Sequence, residues 1–104
     1  MRHLGTLRGG GTLECKDEIL GRVDFEFDGY VMRPGEITAS GEVHADTDVL
    51  VAAFGRRDVV LRTDDGRVLP LRFSGKALPR ASRIAHAEVR EGLPEEKAWR
   101  RSGR

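Results

Sequence analysis

A chain of 104 residues has the length for one domain and excludes two separately packed cores. Hydrophobic residues make up 38% and charged residues 34%, which excludes a disordered chain. The single cysteine, Cys15, excludes an intramolecular disulfide, and the net charge of +1 hides an asymmetry. Residues 17–48 hold nine acids against Arg22 and Arg33, whereas residues 49–104 hold thirteen bases against seven acids. Such a split marks either a partner surface or two halves that neutralise each other in the fold or across a dimer; the second reading is preferred. Arginine outnumbers lysine fifteen to three, with no Asn or Gln, which is the stamp of a GC-rich coding bias of bacterial type. The start, Met1 to Arg8, carries no apolar leader, and the longest apolar run, Val49–Phe54, is far shorter than the ~20 residues that cross a bilayer. The chain therefore reads as soluble and cytoplasmic, with no membrane partner.

In chain order, Gly5-Thr6-Leu7-Arg8 and Gly11-Thr12-Leu13-Glu14 echo each other around Gly9-Gly10, which suggests a ragged hairpin. Residues 19–28 alternate Val23, Phe25 and Phe27 with Arg22, Asp24, Glu26 and Asp28, the period of a half-buried strand. Residues 36–45 repeat the pattern, with Ile37, Ala39, Val43 and Ala45 on one face. Arg33-Pro34-Gly35-Glu36 is a turn signal between them. A two-residue loop there sets Phe27 against Glu42 and mixes the faces. A three-residue loop pairs Phe27 with Val43, and a four-residue loop pairs Phe25 with Val43, so one of the longer loops is expected.

Asp46-Thr47-Asp48 opens a short helix over about 47–54 that Gly55 closes, in preference to a buried strand. A second hairpin joins 58–63 to 67–73 through Asp64-Asp65-Gly66. A three-residue loop with Gly66 left-handed sorts the faces, setting Leu61 against Leu69 and Asp58 against Arg72. Phe25, Phe27, Phe54 and Phe73 are expected to carry the core's bulk. Residues 82–91 read as a closing strand in preference to a helix. Leu93–Arg101 reads as a helical turn or two, with proline early, acids first and bases last.

The fold class is therefore mostly β: a small antiparallel barrel or rolled sheet of five to seven strands, one short helix, and a short helical or flexible C-terminal segment. Residues 1–92 form the β-rich domain and residues 93–104 a basic tail.

Few residues carry a chemical signature. Asp24, Glu26 and Asp28 share an outer face with Glu42 and His44, and an imidazole among carboxylates suits a divalent metal or acid–base work. His44, Glu26 and Asp24 are the candidate ligands; a solvated polar face is the plainer reading and the preferred one. His3 and His86 lack partners at ligand spacing, and Cys15 reads as a structural thiol. Arg8-Gly9-Gly10-Gly11-Thr12 leads into a strand pattern, not into the helix N-terminus that a phosphate loop requires. No cofactor motif and no catalytic set is recognised.

The function expected is a non-catalytic binding or protein-interaction module whose partner is an unknown protein or a second copy. Trp99, Arg100 and Arg101 in the tail are the expected contact residues. Two alternatives stand beside it. One is single-stranded nucleic-acid or nucleotide binding through the basic half, which has arginines and few surface aromatics. The other is a metal-dependent or acid–base enzyme centred on His44.

Overall fold

The computed structural model describes residues 2–75 and 77–99. Seven antiparallel strands form one sheet: β1 (Arg2–Cys15), β2 (Glu18–Arg33), β3 (Glu36–His44), β4 (Val59–Thr63), β5 (Val68–Pro70), β6 (Arg72–Phe73) and β7 (Ile84–Val89). Among the described residues one helix, α1 (Thr47–Ala53), and a 3-10 turn at Glu96–Ala98 complete it. The strand order is β5-β4-β1-β2-β3-β7-β6. The two terminal strands of that order, β5 and β6, are successive pieces of one segment interrupted only at Leu71. β5 pairs with β4 and β6 with β7. The segment Val68–Phe73 thus links both ends of the ladder and curls the sheet into a barrel-like shell. This is the mostly β, antiparallel architecture that the alternation predicts, with the short helix in its expected place.

The inner face carries the period-two residues: Val23, Phe25 and Phe27 of β2, Ala39 and Val43 of β3, and Ala85, Ala87 and Val89 of β7 are all buried. Leu13, Val59, Leu61 and Leu69 fill the other side, and α1 adds Leu50 and Ala53. Phe54 and Phe73 depart from the expectation. Both are half-buried at the rim, with ring centroids 5.8 Å apart.

The glycine-rich start is not a ragged hairpin. β1 runs unbroken for 14 residues and pairs along its length with β2. Its turn is Lys16-Asp17, where Lys16 takes a left-handed φ of 57°. Two irregularities, between His3 and Gly5 and between Leu13 and Glu14, let this long ribbon bend. Gly21 sits opposite the second at φ 150°, and a Cβ there would meet Val49 Cγ2 at 2.5 Å. Glycine therefore allows both the bend and the seating of α1 on β2.

The β2–β3 register is the one drawn for a four-residue loop, with Phe25 opposite Val43 and Asp24 opposite His44. The chain reaches it differently: the loop is the two-residue Pro34-Gly35, and an irregularity between Val31 and Arg33 restores the faces. The β4–β5 turn is as predicted, with Leu61 opposite Leu69, Gly66 at φ 97°, and the Thr63 amide donating to the Arg67 carbonyl at 2.8 Å. Arg72 faces Glu88 of β7 and not Asp58, because the strand changes partner at Leu71. The helix is not capped by the Asp46 side chain, which accepts from Arg83 at 2.8 Å. Its first bonds run to the Asp46 carbonyl from Val49 and Leu50.

The C-terminal segment returns to the shell. Pro94 is buried, Leu93 packs against the core, and Trp99 joins the core at 7% exposure. The indole Nε1 donates to the Pro94 carbonyl at 3.1 Å. Gly29 of β2 makes room for it: a Cβ there would stand 2.5–2.8 Å from three indole carbons.

Candidate functional site

The outer face of the sheet is an ionic lattice, and its pairings decide what each candidate residue can do. Glu26 lies opposite Arg8 across β1–β2 and pairs with it at 2.9 Å. Asp28 accepts from Thr6 Oγ1 at 3.0 Å and contacts His3 Nε2 at 3.1 Å. His44 Nε2 lies 2.9 Å from Glu42 Oε1, its neighbour two residues back on β3. Asp24, directly opposite His44 in the register, lines a shallow concavity of about 410 Å³ with Arg22, His44, Asp46 and Arg83. His44, Glu26 and Asp24 therefore do not converge on one point, because Arg8 holds Glu26 and Glu42 holds His44. Among the described residues no three His, Cys, Asp or Glu side chains are grouped so as to hold a metal ion. Period-two reasoning placed these groups on one face, but the partner each group takes along or across strands is not visible in the alternation. His86 illustrates this: it lies directly opposite Glu42 across β3–β7.

The charge asymmetry of the sequence is met by the fold in part, through a few ion pairs between the two halves. Acids of the first half meet bases of the second in Glu18–Arg56 at 2.9 Å and Asp46–Arg83 at 2.8 Å. Arg22 reaches across to Asp64 with two parallel bonds of 2.7 and 2.8 Å. The hydrogen bond from Arg22 holds the Asp64 carboxyl below the usual carboxylate range, with the positive charge adding to it and partial desolvation opposing it. Arg22 is raised in turn, first by that same bond. Arg56 is raised by Glu18 first, then by Cys15. The Cys15 thiol is buried and donates to the Arg57 carbonyl at 3.3 Å, a structural placement. Arg62 pairs with Glu14, Arg90 with Glu88, and Arg2 with Glu96.

One region of this surface combines arginines outside the ion pairs with aromatic side chains. The stretch that follows α1 and the strand that closes the shell together line a concavity of about 700 Å³, built from Phe54–Val59, Pro70–Phe73 and Gly75. Among the described residues no carboxylate lies within ion-pair distance of Arg57 or Arg72, both of which line it. Asp58 is the one acid on its wall. A second concavity of about 540 Å³ adjoins it, sharing Phe54 and Gly75, and is mainly apolar through Ala77, Leu78, Pro79, Ile84 and Ala85. Sequence reading missed this place because residues 54–59 and 70–86 meet only when the strand passes from β4 to β7. The one available signal was Phe54 and Phe73, whose neighbours Arg56, Arg57 and Arg72 are all basic.

Of the expected contact residues, Trp99 lies inside the shell, and Arg100 and Arg101 fall outside the described residues. No helix among the described residues is long and apolar enough to cross a membrane. Comparison of the chain with protein families, with curated proteins and with solved structures returns no match.

Proposed function

We propose that the protein is a non-catalytic binding module of the bacterial cytoplasm, a rigid β shell that presents its ligand or partner site on the outside. The observation that carries this reading is the pair of concavities around Phe54, where two arginines without a carboxylate in ion-pair distance stand beside two half-buried aromatic rings and an apolar wall. Convergent polar groups beside an apolar pocket are the usual marks of a ligand site. The His44 face supports the enzymatic alternative poorly, since Arg8 holds Glu26 and no three ligating side chains are grouped there among the described residues. A panel of ester, phosphate and glycoside substrates is expected to give background rates with wild type and with His44→Ala alike. Turnover that vanishes in His44→Ala would overturn the reading.

The second reading is single-stranded nucleic-acid or nucleotide binding through the basic half. It gains one observation, the proximity of Phe54 and Phe73 to Arg57 and Arg72 in a single concavity. It requires salt-dependent polarisation of a labelled mixed-sequence oligonucleotide, weakened in Arg57→Gln/Arg72→Gln.

A further inference from the structure

We infer that the two adjoining concavities form one groove for a small amphipathic anion, an apolar body bearing a single carboxylate, sulfonate or phosphate. This inference rests on the binding-module reading and names its ligand class.

The groove is polarised along its length. At one end stand Arg57 and Arg72. Arg56 also lies there but is engaged by Glu18, and Asp58 offsets part of the charge. At the other end the wall is Leu78, Pro79, Ile84 and Ala85, with Glu42 and His86 at its margin. Ile84 is 41% exposed, an apolar β-branched side chain turned outward on a strand whose inward face is already Ala85, Ala87 and Val89. Phe54 lines both halves and stacks obliquely with Phe73, so the apolar surface is continuous from the arginines to the loop.

A guanidinium without a protein partner is a fork of donors suited to an oxyanion. An apolar wall next to it contributes in proportion to the area it removes from water. A ligand must satisfy both ends to use the groove. An inorganic anion uses only the arginines, and an uncharged apolar molecule only the wall. A nucleic-acid backbone needs cations spaced along its track, whereas among the described lining residues the arginines stand at one end and Glu42 lies at the other. Each half taken singly, at about 700 and 540 Å³, has the volume of a small-molecule site.

The test uses sodium decanoate below its micellar concentration, titrated into the ¹⁵N-labelled chain and followed by amide shifts and calorimetry. Decyltrimethylammonium supplies the same tail with the opposite charge, and acetate the same head without the tail. Decanoate is expected to shift amides at residues 54–59, 70–75 and 77–86, while the other two bind at least about tenfold more weakly. Arg57→Gln/Arg72→Gln should raise the decanoate Kd by about tenfold or more, and Ile84→Thr severalfold, each with an unchanged circular dichroism spectrum. Absent binding, equal binding of the ammonium compound, or shifts centred on Arg22 and Arg83 would overturn the inference. Oligonucleotide binding at residues 54–59 and 70–75 that decanoate does not displace would also overturn it, yet would leave the binding-module reading standing. Only His44-dependent turnover would remove that reading.

Discussion

Replacing Trp99 tests whether the C-terminal segment belongs to the fold. The indole is 7% exposed, rests on the backbone of Gly29 and has its one polar atom satisfied by Pro94. Truncation of a buried tryptophan to alanine costs about 3–5 kcal/mol. In a domain near 100 residues each kcal/mol lowers Tm by roughly 4–8 °C, so Trp99→Ala should lower it by more than about 12 °C. Gly29→Ala attacks the same contact from the other side. Its new methyl would stand 2.5–2.8 Å from Cη2, Cζ3 and Cζ2 of a ring that is itself packed. Overpacking of this kind costs about 1–3 kcal/mol. Gly29 has no left-handed φ to preserve, so with the indole gone the same alanine should be neutral or mildly favourable, as alanine is over glycine in a strand. Thermal unfolding of the two single variants and the double variant, followed by circular dichroism, gives the coupling directly. A Trp99→Ala loss below about 1 kcal/mol, or a Gly29→Ala cost equal in both backgrounds, would refute the packing argument.

Two further outcomes follow from single contacts. Gly21→Ala combines a φ of 150° with a methyl 2.5 Å from Val49 Cγ2, and should lower stability by at least about 1–3 kcal/mol; Val49→Ala should recover part of that loss in urea unfolding. The Asp64 carboxyl is held below its unfolded value by Arg22, so the pair's contribution is complete above the ordinary carboxylate range. It is lost as the pH falls through the lower folded value. The difference in urea midpoint between wild type and Asp64→Asn should be small and constant near neutrality and close to nothing by about pH 3; a gap that widened on acidification would contradict this.

Much of the fold was legible because the physics behind it is local. The alternation at Val23, Phe25 and Phe27 dictates a buried face, and Asp64-Asp65-Gly66 admits one loop that keeps Leu61 opposite Leu69. The helix after Asp46 was legible from its own residues, and the strand at 84–89 from the need of a small barrel for closure. What escaped was set by distant parts of the chain. The glycines of β1 looked like a turn because nothing nearby shows that they lie along a long ribbon with β2 and β4 on either side of Gly11. Pro34-Gly35 looked too short for the register because an irregularity near Met32 is invisible in hydrophobic pattern alone. Trp99 in a basic segment resembles a contact residue until Gly29, 70 positions earlier, is seen to be its seat. The polar face at His44 was located correctly as a face, but which carboxylate meets which cation depends on cross-strand neighbours. The groove at Phe54 was hidden for the same reason, since its walls come from segments that the closing strand brings together.

The claim that matters most is that this shell holds a ligand at Arg57 and Arg72. Native mass spectrometry of the chain purified after expression in a bacterial host, beside Arg57→Gln/Arg72→Gln purified identically, tests it most directly. The account predicts a population with excess mass that disappears on denaturation and is depleted in the variant. A bare mass in both, or the same excess in both, would contradict it.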